Sequence, residues 1–275
     1  MDERAARSLR QDRASLAIAL NSAALDLSTQ RVRLFAILSW TSLVNLCCSR
    51  DSAFQAAMEK EWAEPEGSDT SYSKLRSDAG EILYDLCLCR FMDSAITFFR
   101  DAVAIGLVLD PAPLRSHTKT ITHKEVLGFA SLDDLVASLA VRKSEELAHD
   151  DFGLVRYCAE ELRMPVFASD TERLKVKTAI RTRNILVHNG GRIDAKYTKA
   201  LDLDASLIDT KVTLGSEELT DWIELLEACC GRVQAHLSSL WRERFPEDPA
   251  AVAVSEQEGS SDGASVGMAV EDRPA

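Results

Sequence analysis

The sequence predicts an all-α protein, and three observations carry that prediction. Ala, Leu, Glu, Asp and Arg abound while aromatics make up 6% of the 275 residues, a composition that leans helical. Apolar residues recur every three or four positions through most of the chain. A serine or threonine followed three residues later by an acid repeatedly precedes an apolar run, as at a helix N-terminus. The 46% hydrophobic content supports a core, and 28% charged residues is ordinary. This length suits one large domain, or one with a smaller companion.

Leu9, Leu16, Leu20, Ala24 and Leu27 fall at helical spacing and begin an N-terminal helical segment over 1–62. Arg4, Arg7, Arg10 and Arg13 form another stripe of the same helix, read as a solvated face. Residues 1–30 are charged and amphipathic, which predicts no signal peptide. The apolar run Leu34–Cys48 follows. It is fifteen residues long and contains Ser39, Thr41, Ser42 and Asn45. A membrane span needs about 20 apolar residues, so a buried bundle helix and no membrane partner are expected.

Residues 63–73, with Pro65 and Gly67, read as a linker. A second helical domain then covers 74–245. Its first helix spans about 74–109 and stops at Asp110-Pro111-Ala112-Pro113. Thr122 with Glu125, Ser131 with Asp134 and Ser169 with Glu172 mark helix starts, the first and last as full capping boxes. Two or three short helices are expected over 131–162, closed by Met164-Pro165.

A further helix starts near Ser169 and ends near Asn189, where Gly190-Gly191 supplies a left-handed cap. Residues 211–215 suit a short extended turn. The final helix, 216–243, should bury Leu219, Trp222, Ile223, Leu226, Val233, Leu237 and Leu240. Residues 246–275, rich in Ala, Gly, Ser and acids without periodicity, read as a disordered acidic tail.

The seven cysteines are Cys47, Cys48, Cys87, Cys89, Cys158, Cys229 and Cys230, none at zinc-ligand spacing. They read as small core residues of a cytoplasmic protein. His117, His123, His149 and His236 stand apart from one another and from any ligand-spaced Cys or acid, so no metal and no cofactor are expected. No phosphate loop, serine elbow or Cys–His arrangement stands out.

Net charge is −12, but it is unevenly spread. The last thirty residues carry seven acids against Arg273, half of the net negative charge. Residues 173–199 carry Arg173, Lys175, Lys177, Arg181, Arg183, Arg192, Lys196 and Lys199 against Asp194 alone. A basic stretch in an acidic protein suits a polyanion, and equally suits a solvated helix face.

Inside that stretch lies Arg183-Asn184-Ile185-Leu186-Val187-His188. Arginine is a fixed cation suited to phosphate oxygens, and histidine moves protons near neutral pH. Arg181, Asn184 and His188 share one helical stripe, with Arg183 beside it. Ile185, Leu186 and Val187 make that turn apolar on nearly every side, which predicts burial. The plain structural alternative is equally concrete. His188 would bond the helix's terminal carbonyls, and Arg183 would pair with Asp85, Asp93 or Asp101 of the long helix.

Arg183-Asn184-x-x-x-His188 in this helical setting resembles the Arg-x(4–6)-His motif of the HEPN superfamily. The likeness extends from Ile180 through Gly191, Ile193, Asp194 and Tyr197. It also takes in Leu132-Asp133-Asp134-Leu135, Val212-Thr213-Leu214 and the helix of Trp222, covering about 75–245. The resemblance implies a HEPN-like helical bundle and a metal-independent endoribonuclease of defence, stress or toxin type.

In that reading His188 is the general acid or base, Arg183 stabilises phosphoryl charge, and Asn184 orients the histidine or the phosphate. Lys177, Arg181 and Arg192 are the expected RNA-backbone contacts. The implied partners are RNA, a second copy in a homodimer and an antitoxin-like protein. Arg90 and Asp93 are the candidates for a further polar residue from a neighbouring helix. The alternative is a non-catalytic HEPN module that binds RNA, a nucleotide or a protein.

Overall fold

A computed structural model describes residues 29, 31–33, 72–115 and 120–244. The N-terminal segment apart from four residues, the linker apart from its last two, the Leu34–Cys48 run, His117 and the tail lie outside the described residues. Among the described residues the protein is all-α. Its nearest approach to a strand is one isolated antiparallel bridge, Arg192 with Lys211. None of the described helices is long and apolar enough to cross a membrane.

The elements are α1 (Tyr72–Leu109), α2 (His123–Val126), α3 (Leu132–Leu147), α4 (Asp151–Glu160), α5 (Asp170–Asn189), α6 (Ala195–Leu201) and α7 (Ser216–Arg244). Short 3-10 turns at Ala112–Leu114 and Ala205–Leu207 follow α1 and α6. Helix α1 has 38 residues and is about 57 Å long at 1.5 Å per residue. It begins at Tyr72, two residues inside the expected linker. The bundle is built around it: α3, α4, α5 and α7 all pack on α1.

Burial along α1 explains this hub. Leu88, Phe91, Met92, Ala95, Phe98 and Phe99 are buried on one side. From Ala102 to Leu107 every residue is buried or glycine, so neighbours enclose that half on all sides. Ile82 and Leu86, on the turns before Leu88, are exposed. The terminus at Leu109 is fixed by proline chemistry, and the Asp110 carboxylate accepts from the Ala112 amide at 3.0 Å.

The hydroxyl caps form as expected. Thr122, Ser131 and Ser169 accept from the amides of Glu125, Asp134 and Glu172 at 3.2, 3.1 and 3.2 Å. The reciprocal half of the two capping boxes differs. Glu125 gives its carboxylate to Arg142, and Glu172 accepts from Ala168 N, one residue before the cap. A tertiary cation outcompetes a backbone amide at the first site, because the ionised pair is the stronger bond.

Two helices, α3 and α4, fill residues 131–162. The α7 apolar face is buried as expected except Leu240, which is only half-buried while Trp241 takes the core position. A second, smaller core of Ile185, Ile193 and Tyr197, flanked by Leu201 and Val212, sits apart from the main one.

Cys87, Cys158, Cys229 and Cys230 are free and buried, and Cys89 is half-buried. Burial pushes the Cys158 thiol up to about 12 and the Cys229 thiol up to about 11, and it raises Cys230 as well. A thiol held protonated is a poor nucleophile. In the folded protein at pH 8, Cys158 and Cys230 should therefore resist alkylation and react only after unfolding. Peptide mapping by mass spectrometry reads this, and labelling of either in the native state contradicts the packing.

Phe98→Ala should cost about 3–5 kcal/mol, whereas Leu86→Ala, at a site 62% exposed, should change stability by about 0.5 kcal/mol or less. Urea denaturation of the two variants measures the contrast.

Candidate active site

Helix α5 is held from both ends. At its start Glu172 bonds Arg232 of α7 at 2.6 Å, and Arg232 also reaches the Val166 carbonyl at 2.8 Å. Val176, Ala179 and Ile180 enter the main core. Thr182 is fully buried, and its hydroxyl lies 3.0 Å from that of Tyr197. Ile185 then enters the small core. One face of α5 is thus committed to packing from Val176 to Ile185.

Arg183 leaves that face toward α1 and α4. Its Nη2 donates to the Asp93 carboxylate, and its Nη1 donates to Asn184 Oδ1 at 2.9 Å. The Asp151 carboxylate lies 3.7 Å from Nη1. Asp151 sits in the first turn of α4, where the helix's positive end favours a carboxylate. Of the three candidate acids on the long helix, Asp93 takes the guanidinium. Asp101 has Arg100 at 3.6 Å, and burial raises the Asp85 carboxyl against an opposing pull from Lys211. The Arg183 side chain is 22% exposed, and its Nε is buried without a partner among the described residues.

His188 has a different status. It is exposed, and its side chain makes no hydrogen bond or ion pair among the described residues. The helix end does not need it. Gly190 and Gly191 both send their amides to the Ile185 carbonyl, Gly191 at 3.0 Å. Their φ angles of 59° and 79° lie in the left-handed region that glycine tolerates best. Asn189 Nδ2 meanwhile donates to Asp194 at 3.0 Å.

The expectation that the Ile185–Val187 turn is buried all round is corrected. Ile185 is buried and Leu186 half-buried, but Val187 is 51% exposed. Leu186 packs against the main core and Ile185 enters the small one, and neither covers the side that carries Val187.

His188 lies about 7.5 Å along the axis from Arg183 and about 140° round it, so within one chain the two do not share a face. Asn184 connects them. Its carbonyl oxygen is taken by Arg183, and it stands one turn before His188 on the same stripe.

Of the expected backbone contacts, Lys177 and Arg181 line an open cleft beside α4 and α6. Arg192 is not among its lining residues; its guanidinium donates to the Asp209 carbonyl at 3.1 Å. Of the two polar candidates on α1, Asp93 meets Arg183 and Arg90 is exposed without joining that cluster. Asp151 was not foreseen. The only trace it leaves in sequence is the Asp150-Asp151 pair ahead of an apolar helix. Among the described residues no group of three or more His, Cys, Asp or Glu could hold a metal. No family model, curated protein or solved structure matches the chain.

The two residues should separate in stability. Arg183→Met strands two carboxylates and should cost about 1–3 kcal/mol. His188→Ala removes nothing the fold uses and should stay within about 0.5 kcal/mol. Equal losses in urea denaturation would contradict this division of labour.

Proposed function

We propose that the end of α5 is half of a metal-independent RNA-cleaving site, completed by a second copy of the chain. One observation carries the reading: His188 is presented to solvent with no structural duty, one turn beyond an asparagine already bonded to an anchored arginine. The likeness of Arg183-Asn184-x-x-x-His188 to the HEPN motif supports it.

The chemistry needs a base, an acid and a stabiliser of phosphoryl charge. His188 of one copy removes the proton from a ribose 2′-hydroxyl, whose oxygen attacks the adjacent phosphorus. The P–O5′ bond breaks, and His188 of the second copy gives its proton to the departing oxygen. Arg183 faces the non-bridging oxygens with the N–H groups that Asp93 and Asn184 leave free. The products are a 2′,3′-cyclic phosphate and a 5′-hydroxyl. DNA lacks the nucleophile and is spared.

A binding module is favoured by one specific fact. Asp93 and Asp151 already offset the Arg183 charge, which weakens its pull on a free phosphate. The two readings part on a single assay. The wild-type chain should cleave single-stranded RNA in EDTA and leave DNA of the same sequence intact. His188→Ala should remove that cleavage by a factor of about 100 or more, with unchanged helicity. RNA that stays intact at high wild-type concentration, yet binds through the same residues, assigns the module instead.

A further inference from the structure

The cleft beside α5 is built from a different set of side chains. Arg156 of α4 and Arg173, Lys177 and Arg181 of α5 line it, with Asp150, Asp170, Phe152, Leu174 and Ala200. Its volume is about 580 Å³, within the range of ligand pockets. The four cations are incompletely matched. Arg173 and Arg156 share a single carboxylate, Glu160, at 2.5 and 3.9 Å. Arg181 has Asp150 at 3.8 Å, beyond hydrogen-bond range, and its Nε is buried without a partner among the described residues. Lys177 places its ammonium on the Ala200 carbonyl rather than on a carboxylate. Four cations therefore face three acids, Asp150, Asp170 and Glu160, and their donors are left over.

We infer that this cleft holds the phosphodiester backbone of single-stranded RNA on one side of the bond cleaved at His188. The inference rests on the proposed cleavage site for the identity of the strand. Lys177, Arg181, Asn184 and His188 stand at i, i+4, i+7 and i+11, one continuous stripe of α5. Lys177 and His188 are about 16 Å apart along the axis, room for a few nucleotides of extended strand. Arginine forks suit phosphate oxygens, and a carbonyl-bound lysine is free to exchange its weak partner for an anion.

The lining also says what is not read. Phe152 is buried and Leu174 is aliphatic, so no exposed aromatic face stacks a base there. The contact is to backbone, indifferent to base identity and to the 2′-hydroxyl. RNA and DNA strands are held alike in the cleft, and only the chemistry at His188 separates them.

The test uses the full chain carrying His188→Ala, so that no substrate is consumed. Binding of a labelled single-stranded RNA, and of DNA with the same sequence, is followed by anisotropy over a salt series. Arg156→Ala, Arg173→Ala and Lys177→Ala should each weaken both strands several-fold. Each should also flatten the slope of log affinity against log salt by about 0.7, one phosphate contact. Arg142→Ala, a cation on α3 paired with Glu125 outside the cleft, supplies the control.

Affinities and slopes equal to that control, in variants whose melting matches the parent, overturn the inference. So does displacement of the strand by AMP at equal affinity, which makes the cleft a nucleotide pocket. In the cleaving chain the cleft variants should raise KM and leave kcat unchanged. Cleavage with an unchanged KM sinks the cleft and spares the active site. Weakened binding in a chain that never cleaves spares the cleft and sinks the active site.

Discussion

The Arg183 guanidinium is the tie on which the site depends, because it joins α5 to α1 through Asp93 and to α4 through Asp151. Its partner Asp93 stands on α1 between the buried Met92 and Ala95. Deeper along α1 the residues from Ala102 to Leu107 are enclosed, and apolar packing alone fixes their neighbours. Nearer its start α1 exposes Ile82 and Leu86. A partly buried cation with two carboxylates adds a directional tie among the three helices. It is also costly to disturb, since removing one member strands charge in a half-desolvated place.

That anchoring decides what His188 can do. A histidine at a helix end ordinarily serves the terminal carbonyls, but Gly190 and Gly191 have taken that role. The two residues therefore differ in how they are held. Arg183 is held by Asp93, Asn184 and Asp151, whereas the exposed His188 side chain has no partner among the described residues. The small core under Ile185 and Tyr197 keeps the last turns of α5 helical without burying the face that carries His188.

Much of this was legible in the sequence where local chemistry decides the outcome. Ser169 and Gly190 bound α5 as expected because caps are local, and the α7 face followed its apolar spacing. Asp93 was one of three acids open to Arg183, since helical periodicity places several on α1 and cannot choose among them. The missing information was long-range. Asp151, the shared Glu160, and the convergence of Arg156 with Arg173 depend on how α4 crosses α5, which no local pattern encodes. The burial predicted for Val187 failed for the same reason: an apolar residue shows what it prefers, not whether a neighbour exists to cover it.

In the proposed reading one chain carries half a site, with His188 of two copies acting on one bond. Subunit mixing tests it most directly. Wild type and His188→Ala are combined in equal amounts, allowed to exchange, and assayed for RNA cleavage in EDTA. If both histidines are needed, only dimers of two wild-type chains cleave, and specific activity per total protein should fall to about a quarter. A fall to about one half means that each chain works alone, and that result, or no cleavage by wild type at all, contradicts the account.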